Sequence, residues 1–166
     1  MTQNDPDSVI DIAANKLTIP AEGEVLHPYL DPAGIWTIGT GSIWDLAGHR
    51  VTANTPPITH AQNIILLHRE MEAALTEVEE DAVDPQTLKA IPLTLNEEAA
   101  LVDFVFNVGA GNFESSTLLR DLRAKNYAGA ADQFLLWDHA GGRVLAGLAK
   151  RCAARRALFL TPDAQA

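Results

Sequence analysis

Glu22 and Asp31 are the residues of this 166-residue chain whose types and placement suit acid and base chemistry at one centre. They lie in AEGEVLHPYLDPAGIWTIGTGS, residues 21–42, beside a tyrosine, an Asp-Pro-Ala-Gly turn and a threonine at position 37. Two carboxylates in unlike environments can serve as proton donor and proton acceptor at one pH, one keeping its proton while the other stays ionised. Glu22 falls just after a helix, where the negative end of the dipole disfavours a carboxylate anion; burial would act in the same direction. Asp31, in an exposed turn near backbone donors, is expected to stay charged. Thr37, on the returning strand, is placed to point its hydroxyl into the same space and orient a water. Acids also occur at helix ends and in Asp-Pro turns for capping reasons alone, so spacing by itself leaves both readings open.

The elements that must hold these residues are legible in outline. Val9, Ile10, Ala13, Ala14 and Leu17 recur at helical spacing and predict a first helix from Asp7 to about Ile19, with Pro20 limiting its continuation toward Glu22. Asp31-Pro-Ala-Gly34 matches a type I turn between strands 26–30 and 35–39, and DLAGHRVT from Asp45 offers a third strand. Thr59 with Gln62 and Thr94 with Glu97 form capping boxes that start two helices. The first is a long helix over about 59–80; the second runs until Gly109 and Gly111 end it. Helical segments near 116–124, 127–138 and 147–160 follow, with HAGGR as the break before the last, so the C-terminal part is expected to be all helix. The whole is expected to be one α+β domain over 1–166, with a small lobe at about 20–58, a linking helix at about 59–80 and a helical lobe from about 7–19 plus 81–160.

Composition excludes several function classes. A formal charge of −10 and scattered basic residues argue against nucleic acid. The cluster Lys150, Arg151, Arg155 and Arg156 reads mainly as a helix C-terminal charge bias. One cysteine, Cys152, forms no internal disulfide, and no Cys/His set suggests zinc. His60 and His68 read as surface or partly packed positions. GTGS and GAGN lack the continuation of a phosphate loop. Trp137 in FLLW reads as core. No apolar run approaches the roughly 20 residues of a spanning helix, and the acidic N-terminus resembles neither a signal peptide nor an anchor.

The residues Glu22, Gly23, Leu26, Tyr29, Asp31, Gly34, Thr37, Ile38, Gly39 and Gly41 resemble the signature of the phage-type (T4-like) lysozymes and endolysins, glycoside hydrolase family 24. ITHAQNIILLHREM resembles that family's linking helix, FVFNVGAGNFESSTLLRDLRAKNYAGAADQFLLW its helical lobe and GLAKRCAARRALFL its last helix. The resemblance implies a two-lobed lysozyme-like fold with a cleft between the lobes. It also implies hydrolysis of the β-1,4 bond between N-acetylmuramic acid and N-acetylglucosamine in bacterial peptidoglycan. Glu22 is then the general acid, Asp31 the base that activates water and Thr37 the residue that places that water, with Arg151 approaching Glu22 from the last helix. Tyr29, Asn107, Ser116 and Thr117 are candidate substrate contacts, Ser116 and Asn107 having helix-end roles as the simpler alternative. No cofactor and no metal are implied. The partners implied are peptidoglycan and a holin that releases a monomeric enzyme, waiting in the host cytoplasm, to the periplasm and cell wall. The alternatives are a non-catalytic wall-binding or virion structural module, and a lytic transglycosylase, which would not need Asp31.

Three positions depart from the family pattern. Ser42 stands where many relatives have a His that pairs with an acid to brace the small lobe, so that brace is expected to be missing or replaced. Pro20 precedes the catalytic Glu, and Arg155 stands where relatives often carry Glu.

Overall fold

The structure is a computed structural model that describes residues 4–140 and 142–163. Gly141, within the expected HAGGR break, and residues 1–3 and 164–166, within the expected 1–166 domain, lie outside the described residues.

Helix α1 (Pro6–Ala13) starts on Asp5, whose carboxylate accepts the Ser8 N–H at 2.9 Å, with Pro6 in the first turn where its missing N–H costs nothing. It runs without a break into a π-helical turn, Ala14–Thr18, and then into α2 (Ile19–Glu22). The first helix, expected to reach about Ile19 with Pro20 limiting its continuation, therefore runs on past Pro20 and delivers Glu22 at its last residue. Proline lacks a donor and its ring crowds the preceding turn, and a widened π turn just before it is a way to meet both demands. Gly23, at φ +82°, ends the run, donating its N–H to Ile19 O at 2.8 Å.

Strands β1 (Val25–Leu30) and β2 (Trp36–Gly39) form an antiparallel hairpin with Tyr29 opposite Thr37 and Leu30 opposite Trp36. The register shifts between Val25 and Tyr29, the interval that contains Pro28, a residue with no N–H for the ladder. The expected third strand does not form. Isolated bridges Ile38 to Ser42 and Trp44 to Arg50 replace it, because turns at Gly41 (φ +97°) and at Asp45–Gly48 leave too few extended residues between them.

Helix α3 (His60–Asp81) carries the capping box at Thr59 and Gln62. Its Leu66 packs with Ile38 and Val51 in a small core under the hairpin, while Leu67, Met71, Ala74, Leu75 and Val78 belong to the large core. The large core is built around α4 (Leu95–Val108), flanked by α1, α3 and α8, and its residues Ala99 to Val105 are all buried. A helix enclosed on most sides can be apolar nearly all round. Gly109 ends α4 at φ +88°, but Gly111 lies inside the next helix, α5 (Ala110–Glu114), which corrects its reading as a terminator. Then come α6 (Thr117–Arg123), α7 (Tyr127–Gln133) and a 3-10 turn at Phe134–Trp137. A small hairpin of β3 (His139–Ala140) and β4 (Arg143–Val144) precedes α8 (Ala146–Phe159), so the C-terminal part is not all helix. Trp137 packs edge-on against Phe104 at 5.1 Å between ring centres, as the core reading expects.

Two contacts fasten the hairpin to α3. Ser42 is buried, and its hydroxyl meets both the Glu70 carboxyl of α3 and the Trp44 carbonyl, at 2.8 Å for the latter. Burial pushes the Glu70 carboxyl up, with the Ser42 hydrogen bond and the Arg69 charge acting against that. Ser42 thus stands beside Glu70 in place of the charged residue expected there, with its hydroxyl proton given to the Trp44 carbonyl. Asn63, fully buried on α3, accepts the Thr40 N–H at 3.0 Å and donates to Thr40 Oγ1 at 2.8 Å and to Glu24 Oε1 at 2.7 Å. Gly39 (φ +66°) fits against this clamp only because it lacks a side chain, since a Cβ there would stand 2.2 Å from Asn63 Oδ1. Gly39→Ala combines a left-handed backbone with that overlap and is expected to cost about 2–4 kcal/mol. Urea denaturation checks it, and a loss below about 0.5 kcal/mol would remove the clamp from the account.

Candidate active site

Glu22 reaches its position as the last residue of a helix stopped by Gly23, and its side chain is 48% exposed. What fixes it is Arg151 of α8, whose Nη1 donates to Glu22 Oε1 in an ion pair. The expectation that Arg151 approaches Glu22 is met by this contact.

Arg151 does not act alone. Its Nε and Nη2 donate to Asp103 Oδ2 and Oδ1 of α4 at 3.1 and 2.7 Å, and the whole residue is 4% exposed. Arg155, one turn further along α8 and fully buried, donates to Asp103 Oδ2 at 2.6 Å and to Asn107 Oδ1 at 3.0 Å. Thr18, in the π turn, donates to Asp103 Oδ1 at 2.6 Å. Burial would push the Asp103 carboxyl up, but the hydrogen bond from Arg151, the charges of Arg155 and Arg151 and the hydrogen bond from Thr18 together hold it below the ordinary carboxylate range. Burial likewise acts to lower both guanidinium groups; Asp103 and Glu22 more than offset it at Arg151, whereas Arg155 stays lowered.

The helix-end reading of Arg151 and Arg155 is thereby corrected. Their i, i+4 spacing puts both on the face of α8 that meets α4, where a buried carboxylate awaits them. Asp103 was missed as a functional residue, although a signal exists, since an acid alone in AALVDFVF, an otherwise apolar helical run, requires a buried partner.

Asp31 sits at the hairpin tip. Its Oδ1 accepts the Ala33 and Ile35 N–H groups, each at 2.8 Å, and its carbonyl accepts the Gly34 N–H at 2.9 Å. The turn thus orients the carboxylate, while Oδ2 has no hydrogen-bond partner among the described residues. Tyr29 stands two residues before Asp31 on β1, and its phenol is pushed up by burial first, then by the charges of Asp31 and of Glu22. Thr37, opposite Tyr29, has its side chain on the same face of the hairpin. Its hydroxyl donates to Ile35 O at 3.0 Å, which leaves the oxygen lone pairs as its remaining valence for a water.

The structure groups Glu22, Asp31, Tyr29, Thr37 and Arg151, and connects Asn107 to them through the arginine network. It does not group Ser116 and Thr117 with them. Ser116 caps α6 by accepting the Leu119 N–H at 3.0 Å, and Thr117 Oγ1 accepts from Arg120 at 3.0 Å. Ser116 lines a surface pocket with Pro85, Glu114, Arg120 and Arg123, and no residue of the Glu22–Asp31 group forms part of that wall. His60 pairs with Glu24 and His68 with Asp11 at the surface, and no group of three or more His, Cys, Asp or Glu able to hold a metal occurs among the described residues.

A helical run ending at Glu22, a two-stranded antiparallel hairpin, a long helix and a helical lobe make up an α+β scaffold of lysozyme type. The profile of the phage lysozyme family matches residues 20–155, and the chain belongs to that family. It is 40% identical over 140 residues to the endolysin of Salmonella phage P22, covering 84% of this chain and 90% of that one. It is 32% identical over 139 residues to the SAR-endolysin of Enterobacteria phage P21, covering 84% and 77%. Among solved structures it resembles a P22 lysozyme mutant (TM-score 0.75, 32% identity, 97% of this chain and 99% of that chain). It also resembles the endolysin from Escherichia coli O157:H7 phage FAHEc1 (TM-score 0.73, 27% identity, 92% and 90%).

Proposed function

We propose that this chain is an endolysin of glycoside hydrolase family 24 that hydrolyses the β-1,4 bond between N-acetylmuramic acid and N-acetylglucosamine. That it is a peptidoglycan hydrolase follows from its family; the bond and the residue roles are our reading. The observation that supports it is the order of the fold at this point: Glu22 ends its helix against Arg151, and the hairpin that follows holds Asp31 at its tip with Tyr29 and Thr37 paired on one face. Glu22, the acid at the open end of a helix, gives its proton to the glycosidic oxygen as the bond to the anomeric carbon breaks. Asp31 takes a proton from the water that attacks that carbon, and Thr37 accepts a hydrogen bond from the same water. Proton exchange with solvent then resets both acids. Tyr29 lines the subsite between them. Arg151 holds Glu22 in one rotamer through Oε1 and leaves the other oxygen for the substrate.

The test is release of reducing sugar from purified Gram-negative peptidoglycan, with mass and anomeric analysis of the fresh product. Inverted configuration assigns Asp31 as base, and retained configuration assigns it as nucleophile, the two geometries needing carboxyl separations of about 6.5–9.5 and 5–5.5 Å. A product lighter by one water would make the enzyme a lytic transglycosylase, and a folded, wall-binding but inert protein would make it a recognition module.

The net charge of −10 repels an anionic wall. Activity on whole walls is expected to rise as salt is raised from low levels toward about 0.1 M, where the Debye length falls to about 10 Å. A monotonic fall with salt would contradict this. No helix among the described residues is long and apolar enough to cross a membrane. Action as a monomer, and passage from the host cytoplasm to the periplasm through a holin lesion, complete the proposal. Lysis of cells expressing this chain with and without a holin tests that route.

A further inference from the structure

We propose that Arg155 is a positioning residue for substrate selection. By holding the Asn107 carboxamide through Oδ1, it turns Nδ2 outward as a donor for the acetamido carbonyl of the bound sugar. The inference rests on the glycan-hydrolase reading above.

A guanidinium has only donors, so the Asn107 atom that meets Arg155 Nη2 at 3.0 Å has to be the oxygen. The usual freedom of an asparagine to present either end is thereby removed. Arg155 is itself immobile. It is fully buried, donates to Asp103 Oδ2 at 2.6 Å and to Asp103 O at 3.2 Å, and lies over the Phe104 ring at 5.6 Å. Asn107 occupies the last turn of α4 and is exposed, and its Nδ2 has no hydrogen-bond partner among the described residues. A fixed, outward donor suits a carbonyl acceptor such as the acetamido group carried by both sugars of the glycan. A de-N-acetylated sugar offers an ammonium there instead, which a donor cannot bind. The Asp103 carboxylate that seats Arg155 also seats Arg151, and through it Glu22. One buried anion therefore sets the acid and the sugar donor relative to each other.

The test is a double-mutant cycle on uncrosslinked glycan strands with wild type, Arg155→Lys, Asn107→Ala and the double variant. Lysine keeps a positive charge beside Asp103, but its single ammonium cannot serve Asp103 and Asn107 together. Each single variant is expected to raise KM by about 3- to 10-fold, the worth of one hydrogen bond, with kcat within about twofold. The double variant is expected to match Asn107→Ala rather than multiply the two effects. Preference for acetylated over de-N-acetylated strands is expected to fall in all three variants. Asn107→Asp keeps the acceptor for Arg155 and deletes the donor, so it is expected to raise KM even if Arg155→Lys does not fold. Multiplying effects in a cleaving enzyme, or an Asn107→Asp variant with wild-type KM, would overturn the inference while leaving the hydrolase reading intact. A wild type that cleaves no glycan would end both.

Discussion

Replacing Glu22 by Gln is expected to lower kcat/KM on purified glycan by about 10²–10⁴-fold, the usual worth of a positioned proton donor, with little change in stability. The amide retains an oxygen that can accept from Arg151 Nη1, and the side chain is 48% exposed, so neither packing nor the arginine network loses its partner. What disappears is the proton. Asp31→Asn should behave alike for a matching reason. Its Oδ1 can still accept from the Ala33 and Ile35 N–H groups, so the turn survives while the charged oxygen does not. Kinetics and thermal melts on the same samples decide the matter. An enzyme that keeps more than about a tenth of its activity with either change has its acid or base elsewhere, because a proton-transfer role is worth at least about 10².

The largest stability effect is expected at Asp103. Asp103→Ala leaves Arg151 and Arg155, 4% and 0% exposed, without the anion between them. Breaking a buried ion pair from one side typically costs about 3–5 kcal/mol, because the remaining charge stays desolvated. The pH dependence has a definite sign. The folded Asp103 is held below its ordinary value, so its ionised form stabilises the fold fully above the unfolded value of about 3.9, and this contribution is lost as pH falls through the lower, folded value. Urea melts from about pH 3 to pH 7 should show wild type losing more stability toward acid than the variant does, with the gap between them narrowing at the acid end. A gap below about 1 kcal/mol at neutral pH, or one that does not narrow, would mean that the arginines are held by packing rather than by Asp103. Because Arg151 also carries Glu22, the variant should lose activity under conditions where it remains folded.

Much of the scaffold was determined by residues close together in the chain. The Asp31-Pro-Ala-Gly34 turn and the boxes of Thr59 with Gln62 and Thr94 with Glu97 each satisfy backbone groups within a few residues, so no tertiary information is needed to place them. Glu22, Asp31 and Thr37 fall within one helix end and one hairpin, but their spacing left a capping role equally open, and it was the resemblance to the phage-type lysozyme signature that singled them out as a group. Tertiary structure decided the rest. Pro20 is carried inside a helical run by the π turn of residues 14–18, and the expected third strand shrinks to bridges because turns at Gly41 and Asp45–Gly48 consume its length. The arginine network joins residues 48 to 129 positions apart. No local pattern marks such a contact, because the stabilisation of Asp103, Arg151 and Arg155 appears only when α4 and α8 pack and water is removed from between them. A buried charge is costly until its partner arrives, and which partner arrives is a property of the packed helices rather than of either segment alone.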